Sequence, residues 1–171
     1  MVFDPYSTLL SVDAEIGAGN VFHPGVVING RCRIGSGNTF HLGTHLLADD
    51  GALIVIGDGG TLGPGGAQIT ATGSGVACRI GDRVRLRNGA EIVGASTLGS
   101  GSQVLGPISA RGVHLASGGD FTEPDPDLRG AVLKGFGRAQ GIRLAVGEVV
   151  NGLGDFAAAP VERQLSYHPR G

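Results

Sequence analysis

The sequence contains no tryptophan and only two cysteines, and charged residues occupy just 16% of its 171 positions. Its net charge is −2 and it has no run of lysine or arginine, so nothing suggests the basic surface of a nucleic-acid-binding protein. No apolar run approaches membrane-spanning length, and the N-terminus lacks a basic segment followed by an apolar one. We therefore expect no nucleic-acid partner, no membrane partner and a cytoplasmic location.

Glycine is abundant by contrast, with 33 residues, and 41% of the chain is hydrophobic. The hydrophobic residues recur every six positions, with one shift of four residues after Leu46 and an interruption between Leu62 and Ile80. A period of six fits neither an α-helix nor the two-residue alternation of a strand, so it indicates a structural repeat. The recurring residues are Leu10, Ile16, Phe22, Ile28, Ile34, Phe40, Leu46, Ile56, Leu62, Ile80, Leu86, Ile92, Leu98, Val104, Ala110 and Ala116.

Glycine and other small residues occupy fixed places within each group of six. A glycine often follows the large apolar residue by one or three places, as Gly17 and Gly19 follow Ile16. Glycine tolerates the positive φ needed where a short strand turns a corner. The fourth place is usually small, as at Ala14 and Cys32, and this pattern predicts a narrow triangular prism with both positions pointing inward.

The segments "IGAGNVF", "IGSGNTF" and "IGDRVRL" resemble the hexapeptide-repeat, or isoleucine-patch, superfamily. The resemblance covers about 107 of the 171 residues, from Leu10 to Ala116. It implies an all-β fold, a left-handed parallel β-helix of about six coils, with three groups of six residues in each coil. Residues eighteen apart should then stack at the spacing of neighbouring strands, about 4.8 Å.

Counting in eighteens predicts three stacked columns. Gln68 and Ser74 replace the apolar residue in the fourth coil, so we expect residues 68–79 to be one poorly packed stretch without a loop. The first column is Leu10, Ile28, Leu46, Gln68, Leu86 and Val104. The second is Ile16, Ile34, Ile56, Ser74, Ile92 and Ala110, and the third is Phe22, Phe40, Leu62, Ile80, Leu98 and Ala116.

Two regions are expected along the chain. Residues 1–119 form the β-helix domain, with residues 1–9 as a cap in which Phe3 and Tyr6 cover the open end, and residues 47–55 as an excursion. Residues 120–171 do not follow the repeat and are predicted as an extension that packs on the β-helix or on a neighbouring subunit. Within it, "IRLAVGEVV" alternates like a strand, and Pro160 suits the first turn of a short helix.

The two cysteines fall at inward small positions on different faces. Cys32 and Cys78 are two coils or more apart in this arrangement, which is too far for a disulfide bond. We expect both to be small apolar residues of the core.

Histidines supply the candidate chemistry. His23 and His41 are eighteen apart and should project outward from adjacent coils, while His45 lies just before the excursion that carries Asp49 and Asp50. His45 could act as a catalytic base oriented by Asp49 or Asp50. Alternatively, His23, His41 and His45 could bind a divalent metal such as zinc. Outward histidines can equally be solvated or line a contact between subunits.

The resemblance implies three classes of function, of which the first two are trimeric enzymes. The flat sides of a prism also lead us to expect a homotrimer, since closed symmetry is the rule for homo-oligomers. The first is acyl transfer from an acyl-CoA co-substrate to a small molecule, with the histidine base at a subunit interface. Many such acetyltransferases contain a Gly-x-Pro-Ala segment, to which "GPISAR" has only a weak similarity. The second is a metal enzyme similar to the γ-class carbonic anhydrases, although the spacing in "HLGTH" is one residue shorter than that of their paired histidines. The third is a non-catalytic assembly module.

Overall fold

The computed structural model describes residues 8–169, which form an all-β parallel β-helix, as the repeat predicts. The first strands are β1 (Leu9–Leu10), β2 (Glu15–Ile16), β3 (Val21–Phe22), β4 (Val27–Gly30), β5 (Cys32–Ile34), β6 (Thr39–Phe40), β7 (Thr44–Asp49), β8 (Leu53–Ile56), β9 (Thr61–Leu62), β10 (Ala67–Thr72) and β11 (Ala77–Ile80). They are followed by β12 (Arg85–Arg87), β13 (Ala90–Val93), β14 (Thr97–Leu98), β15 (Gln103–Leu105), β16 (Ile108–Arg111), β17 (His114–Leu115), β18 (Val132–Gln140), β19 (Arg143–Leu144), β20 (Glu148–Asp155) and β21 (Val161–Arg163). Short 3-10 helices span Pro126–Leu128, Phe156–Ala158 and Gln164–Ser166.

Successive strands lie on three faces of a prism, and each pairs in parallel with the strand one coil away. The first face contains β1, β4, β7, β10, β13, β16 and the second half of β18. The second face contains β2, β5, β8, β11, β14, β17 and β19. The third contains β3, β6, β9, β12, β15, the first half of β18 and the start of β20.

Each face contributes one column of large inward residues to the core. The predicted columns are confirmed through the third coil and are wrong beyond it. On the first face, Leu46 pairs with Ile69 instead of Gln68, and Ile69 pairs with Ile92. Gln68 is exposed. The complete columns are Leu10, Ile28, Leu46, Ile69, Ile92, Ala110 and Ala139; then Ile16, Ile34, Ile56, Ile80, Leu98, Leu115 and Leu144; then Phe22, Phe40, Leu62, Leu86, Val104, Leu133 and Val150.

One additional residue between Leu62 and Ile69 and a second lengthened corner after Ile69 explain the error. Most of the predicted excursion at 47–55 is strand, because β7 runs on to Asp49 and pairs there with Thr72 of β10. The fourth coil is lengthened at the same corner, so residues 68–79 contain a turn and are well packed around it. Ile80 therefore belongs to the second face, and every later residue moves by one face relative to the prediction.

The stack continues beyond residue 119. After a loop at residues 116–131, β18 spans a corner and forms the third-face strand of the sixth coil and the first-face strand of the seventh. The strand predicted in "IRLAVGEVV" is divided between β19 and β20, on two different faces. The chain then turns back, and β21 pairs antiparallel with β20. The short helix predicted to begin at Pro160 is wrong, because the residues that follow it form β21, and a 3-10 helix begins only at Gln164. Phe156, which is 1% exposed, packs its ring over Gly152.

A ladder of side-chain hydrogen bonds runs along the edge between the second and third faces. At each turn a backbone N–H donates to a side-chain oxygen of the next coil. The N–H of Ser36 donates to Asp58 Oδ1 over 2.7 Å, and the N–H of Asp58 donates to Asp82 Oδ1 over 2.8 Å. The N–H of Asp82 then donates to Ser100 Oγ, and that of Ser100 to Ser117 Oγ. This ladder satisfies polar backbone groups that face no strand.

Both cysteines are free and buried, as predicted. Burial raises the pKa of Cys32 to about 11 and that of Cys78 to about 12. Phe3 and Tyr6, the predicted covers of the first coil, lie outside the described residues. Within residues 8–169, no helix is long and apolar enough to cross a membrane.

Candidate functional site

His23 and His41 lie in contact on the outside of the prism. Each directly follows a third-face strand, and their inward neighbours Phe22 and Phe40 stack with ring centroids 5.0 Å apart. The N–H of His23 donates to the carbonyl of Phe40 over 2.9 Å, which fixes the two turns one above the other. The imidazole centroids are 4.7 Å apart, with an angle of 25° between the rings. The sequence spacing of eighteen therefore brings these two side chains together, as expected.

His45 lies around the corner from His41, on the first face. The N–H of Thr44 donates to the carbonyl of His41 over 3.1 Å and closes the intervening turn. His45 is the second residue of β7, where it is exposed between Val27 and Gln68 of the neighbouring coils. It thus shares an edge of the prism with His23 and His41 but points from a different face.

Asp49 and Asp50 lie at the opposite edge of the first face. Asp49 is four residues after His45 in an extended strand, so their Cα atoms are about 13 Å apart. The Asp49 carboxylate accepts a hydrogen bond from the N–H of Asp50 over 2.9 Å, and Asp50 has a φ of +50° in the turn. The strand therefore does not bring either carboxylate within hydrogen-bonding distance of His45.

The histidine pair also bears on the metal hypothesis. Two nitrogens bound to one zinc ion at about 2.1 Å are roughly 3.4 Å apart in tetrahedral geometry. The rings of His23 and His41 are stacked instead, with centroids 4.7 Å apart and 25° between their planes, so the in-plane lone pairs of their nitrogens lie in nearly parallel planes and do not meet at one ion within bonding distance. Among the described residues, no group of three or more His, Cys, Asp or Glu side chains is arranged to hold a metal. A ligand set shared between subunits stays a prediction.

A groove opens beside His41 because the next residue along the stack has no side chain. Phe40 pairs with Leu62, and Leu62 with Leu86, so Gly63 lies between His41 and Arg87 along the third face. Gly63 has a φ of +90°, and a Cβ there would lie 2.0 Å from Thr44 Oγ1. The groove is lined by His23, His41, Leu42, Gly43 and residues 63–66.

Arg87 lies on the same face as His41 and acts on its charge, and sequence reasoning missed it. Its Nε is buried and has no hydrogen-bond partner within residues 8–169. The fixed period of eighteen could not identify it, because Arg87 follows Gly63 by 24 residues and Gly63 follows His41 by 22. Only the strand register, with its two lengthened coils, places Arg87 on the same line as the histidines.

The surroundings of His41 favour a neutral imidazole. Burial lowers the pKa of His41, and the nearby His23 and Arg87 lower it further. All three causes act against protonation, so His41 is largely uncharged near pH 7. A neutral imidazole can accept a proton, which is the requirement for a general base.

A scan against protein-family models found no match for this chain, and a search of curated proteins found none either. The similarity to hexapeptide-repeat proteins therefore consists of the sequence pattern and a compatible parallel β-helix.

Proposed function

We propose that the protein is a hexapeptide-repeat enzyme that transfers an acyl group from a coenzyme A-type thioester to a small acceptor, with His41 as the general base. The observation that carries this proposal is a half-buried imidazole with a lowered pKa beside a groove that no side chain of residues 8–169 fills. The sequence favours His45 for the same role, and the two histidines flank one corner of the prism.

The chemistry requires one proton acceptor and room for the thioester. The hydroxyl or amine of the acceptor attacks the thioester carbonyl carbon, and the neutral imidazole takes the proton that the acceptor loses. The carbon–sulfur bond then breaks, and the departing thiolate receives the proton. Arg87, whose backbone lies two strand spacings or about 10 Å from that of His41, supplies a guanidinium whose positive charge suits the anionic part of the donor.

A neighbouring subunit would complete the site. The edge between the third and first faces, here called the histidine edge, consists of the turns that contain residues 23–26, 41–43, 63–66, 88–89, 106–107, 135–136 and 152–153. Large apolar side chains are exposed on it: Leu42 at 62%, Phe136 at 52% and Leu153 at 74%. Phe136 and Leu153 are neighbours on adjacent coils, and Leu42 lies four strand spacings from Phe136. Exposed apolar side chains of this size are typical of contact surfaces. We propose that this edge packs against a second copy in a closed homotrimer, since closed symmetry is the rule for homo-oligomers.

The proposal is tested by thiol release from acetyl-CoA with a panel of amine and alcohol acceptors, together with calorimetric binding of coenzyme A. Loss of a general base should lower the rate by about 10²- to 10⁴-fold in His41→Ala while coenzyme A still binds. His45→Ala is measured in parallel, and His114→Ala, which removes an exposed histidine on the second face, is the matched control. Full activity in His41→Ala would refute His41 as the base, and activity lost only in His45→Ala would transfer the role to that residue.

Two further results would redirect the proposal. Stoichiometric zinc or another divalent metal in the purified protein, lost in His23→Ala or His41→Ala, would favour the metal enzyme with shared ligands. A stable trimer that neither binds coenzyme A nor releases thiol would favour the assembly module. Sedimentation of the wild type and of Leu42→Lys measures the trimer directly, and a wild-type monomer would remove the interface argument.

A further inference from the structure

A second cavity lies on the third face, away from the histidines. It has a volume of about 270 Å³, and the outward side chains of β12, β15 and β18 form its floor. The loop at residues 116–131 covers one side with Phe121, and the C-terminal segment covers the other with Tyr167 and His168. Lys134 in the floor is four strand spacings, or about 19 Å, from His41 along the same face.

Hydrogen bonds hold the walls of this cavity in place. Gln164, which is 4% exposed, donates from Nε2 to the carbonyl of Gly130 over 2.7 Å and to that of Glu148 over 3.3 Å. The guanidinium of Arg163 binds the Asp127 carboxylate with contacts of 2.9 and 2.7 Å, which ties the C-terminal segment to the loop. The cavity is therefore built by three segments that are distant in sequence and joined by specific contacts.

The charge lining this cavity is one-sided. Arg85, Arg129 and Lys134 all contribute to its surface, and no carboxylate of residues 8–169 does. Among residues 8–169, Lys134 forms no ion pair, and its Nζ lies 3.5 Å from the centroid of the Tyr167 ring. The guanidinium of Arg85 lies 4.0 Å from the centroid of the Phe121 ring.

The remaining contacts of these cations do not neutralise them. Arg85 Nη1 donates to Gln103 Oε1 over 3.2 Å, and Arg129 Nε donates to the carbonyl of Glu123 over 2.7 Å, so both acceptors are uncharged. Burial and then the charge of Arg87 lower the pKa of Arg85, and Asp120 only partly opposes them. Asp120 itself forms an ion pair with Arg83 at 3.6 Å, outside the cavity lining.

We propose that this cavity is a second ligand site, for a small organic anion with a carboxylate or phosphate attached to an apolar or aromatic group. The cations of Arg85 and Lys134 bind the oxyanion, and the apolar group packs against Leu105, Val132 and Phe121. The volume is slightly below the range of roughly 300–1,000 Å³ for ligand pockets, which restricts the ligand to a small molecule. This site does not depend on acyl transfer at His41.

Calorimetric titration of the full chain with phenyl phosphate, benzoate, inorganic phosphate and benzyl alcohol tests the proposal. Phenyl phosphate or benzoate should bind with a Kd of about 1 mM or tighter, and salt should weaken the binding. Inorganic phosphate should bind more weakly, because it lacks the apolar group, and benzyl alcohol should bind more weakly because it lacks the charge. These two probes separate the contributions of the apolar floor and of the cations.

Variants then assign the binding to this cavity. Lys134→Gln should weaken phenyl phosphate binding by about tenfold or more, because a charge-assisted contact is lost. Arg138→Gln removes an exposed cation from the same strand on a different face, and His41→Ala alters the other site; both should leave the affinity unchanged. The thermal transition of each variant verifies its folding, and Arg85→Gln gives an independent second test. Absence of binding by both aromatic anions, or equal weakening in Lys134→Gln and Arg138→Gln, would overturn the proposal.

Discussion

Replacing Ile69 with alanine should destabilise the protein far more than replacing its neighbour Gln68. Ile69 is fully buried between Leu46 and Ile92, whereas Gln68 is exposed between the strands of the adjacent coils. Side chains of a strand alternate between its two faces, so a register that differed by one residue would exchange the roles of Gln68 and Ile69. The comparison therefore tests the register of the whole fourth coil.

The expected loss follows from the buried volume. Ile69→Ala removes three carbon groups at about 0.8 kcal/mol each, or about 2.4 kcal/mol of transfer free energy. The rigid columns above and below cannot collapse into the space, so a cavity penalty raises the total to about 3–4 kcal/mol. For a chain of this size, that corresponds to a fall in Tm of roughly 10 °C. Gln68→Ala changes an exposed side chain and should remain within about 0.5 kcal/mol of wild type.

Urea unfolding followed by circular dichroism measures both losses, with sedimentation to verify that the assembly state is unchanged. Ile69→Val is the graded control and should cost about 0.5–1.5 kcal/mol. Equal losses for Ile69→Ala and Gln68→Ala, or a larger loss for Gln68→Ala, would refute the register and restore the stack in which Gln68 points inward.

Three further outcomes follow from local environments. Cys32 and Cys78 should not react with a thiol reagent at pH 8 until the protein unfolds, because their pKa values are raised to about 11 and about 12; rapid labelling of the native protein would contradict their burial. By NMR titration, His41 should show a pKa below its ordinary 6.5, and His23→Ala should raise it. An unchanged His41 titration in His23→Ala would argue against the stacked pair. Because native His41 binds a proton less readily than the same residue in the unfolded chain, its contribution to stability is present above pH 6.5 and is lost as the pH falls below it. Gly30→Ala should destabilise strongly in urea unfolding, because φ is +83° and a Cβ would lie 1.7 Å from a carbonyl oxygen of the next coil.

The sequence predicts the fold well wherever coils have equal length. Its period of eighteen stacks Phe22 on Phe40 and brings His23 beside His41, and both pairs are present in the structure. The prediction fails at Gln68 because one additional residue lies between Leu62 and Ile69, and five more lie between Ile69 and Ile80, so the total imitates one additional group of six. The six-residue period therefore still matches the apolar residues after residue 80, although each of them lies on a different face from the one predicted.

Other parts of the structure leave no periodic trace in the sequence. The sixth coil is interrupted by the loop at residues 116–131, so the later strands appear to be a tail although they continue the stack. The cavity around Lys134 combines residues of β12, β18 and the C-terminal segment, which meet only because the chain folds back on itself. Contacts between such distant segments follow from tertiary packing, which a local pattern does not encode.

The hydrogen-bond ladder along the edge between the second and third faces allows the chain to be shortened or lengthened by one whole coil at a time. Each hydrogen bond of the ladder joins a backbone N–H to a side-chain oxygen of the next coil. Removing one complete coil therefore brings another such donor and acceptor together. Deleting residues 81–98 would connect Ile80 to Gly99 and place Ser100 Oγ where Asp82 Oδ1 had accepted the N–H of Asp58. Serine already serves as the acceptor for Asp82 in the intact protein, at 2.9 Å. A chain that is shorter or longer by one whole coil should therefore keep the ladder intact. A deletion of half a coil would leave backbone N–H donors of the ladder with no side-chain oxygen opposite them.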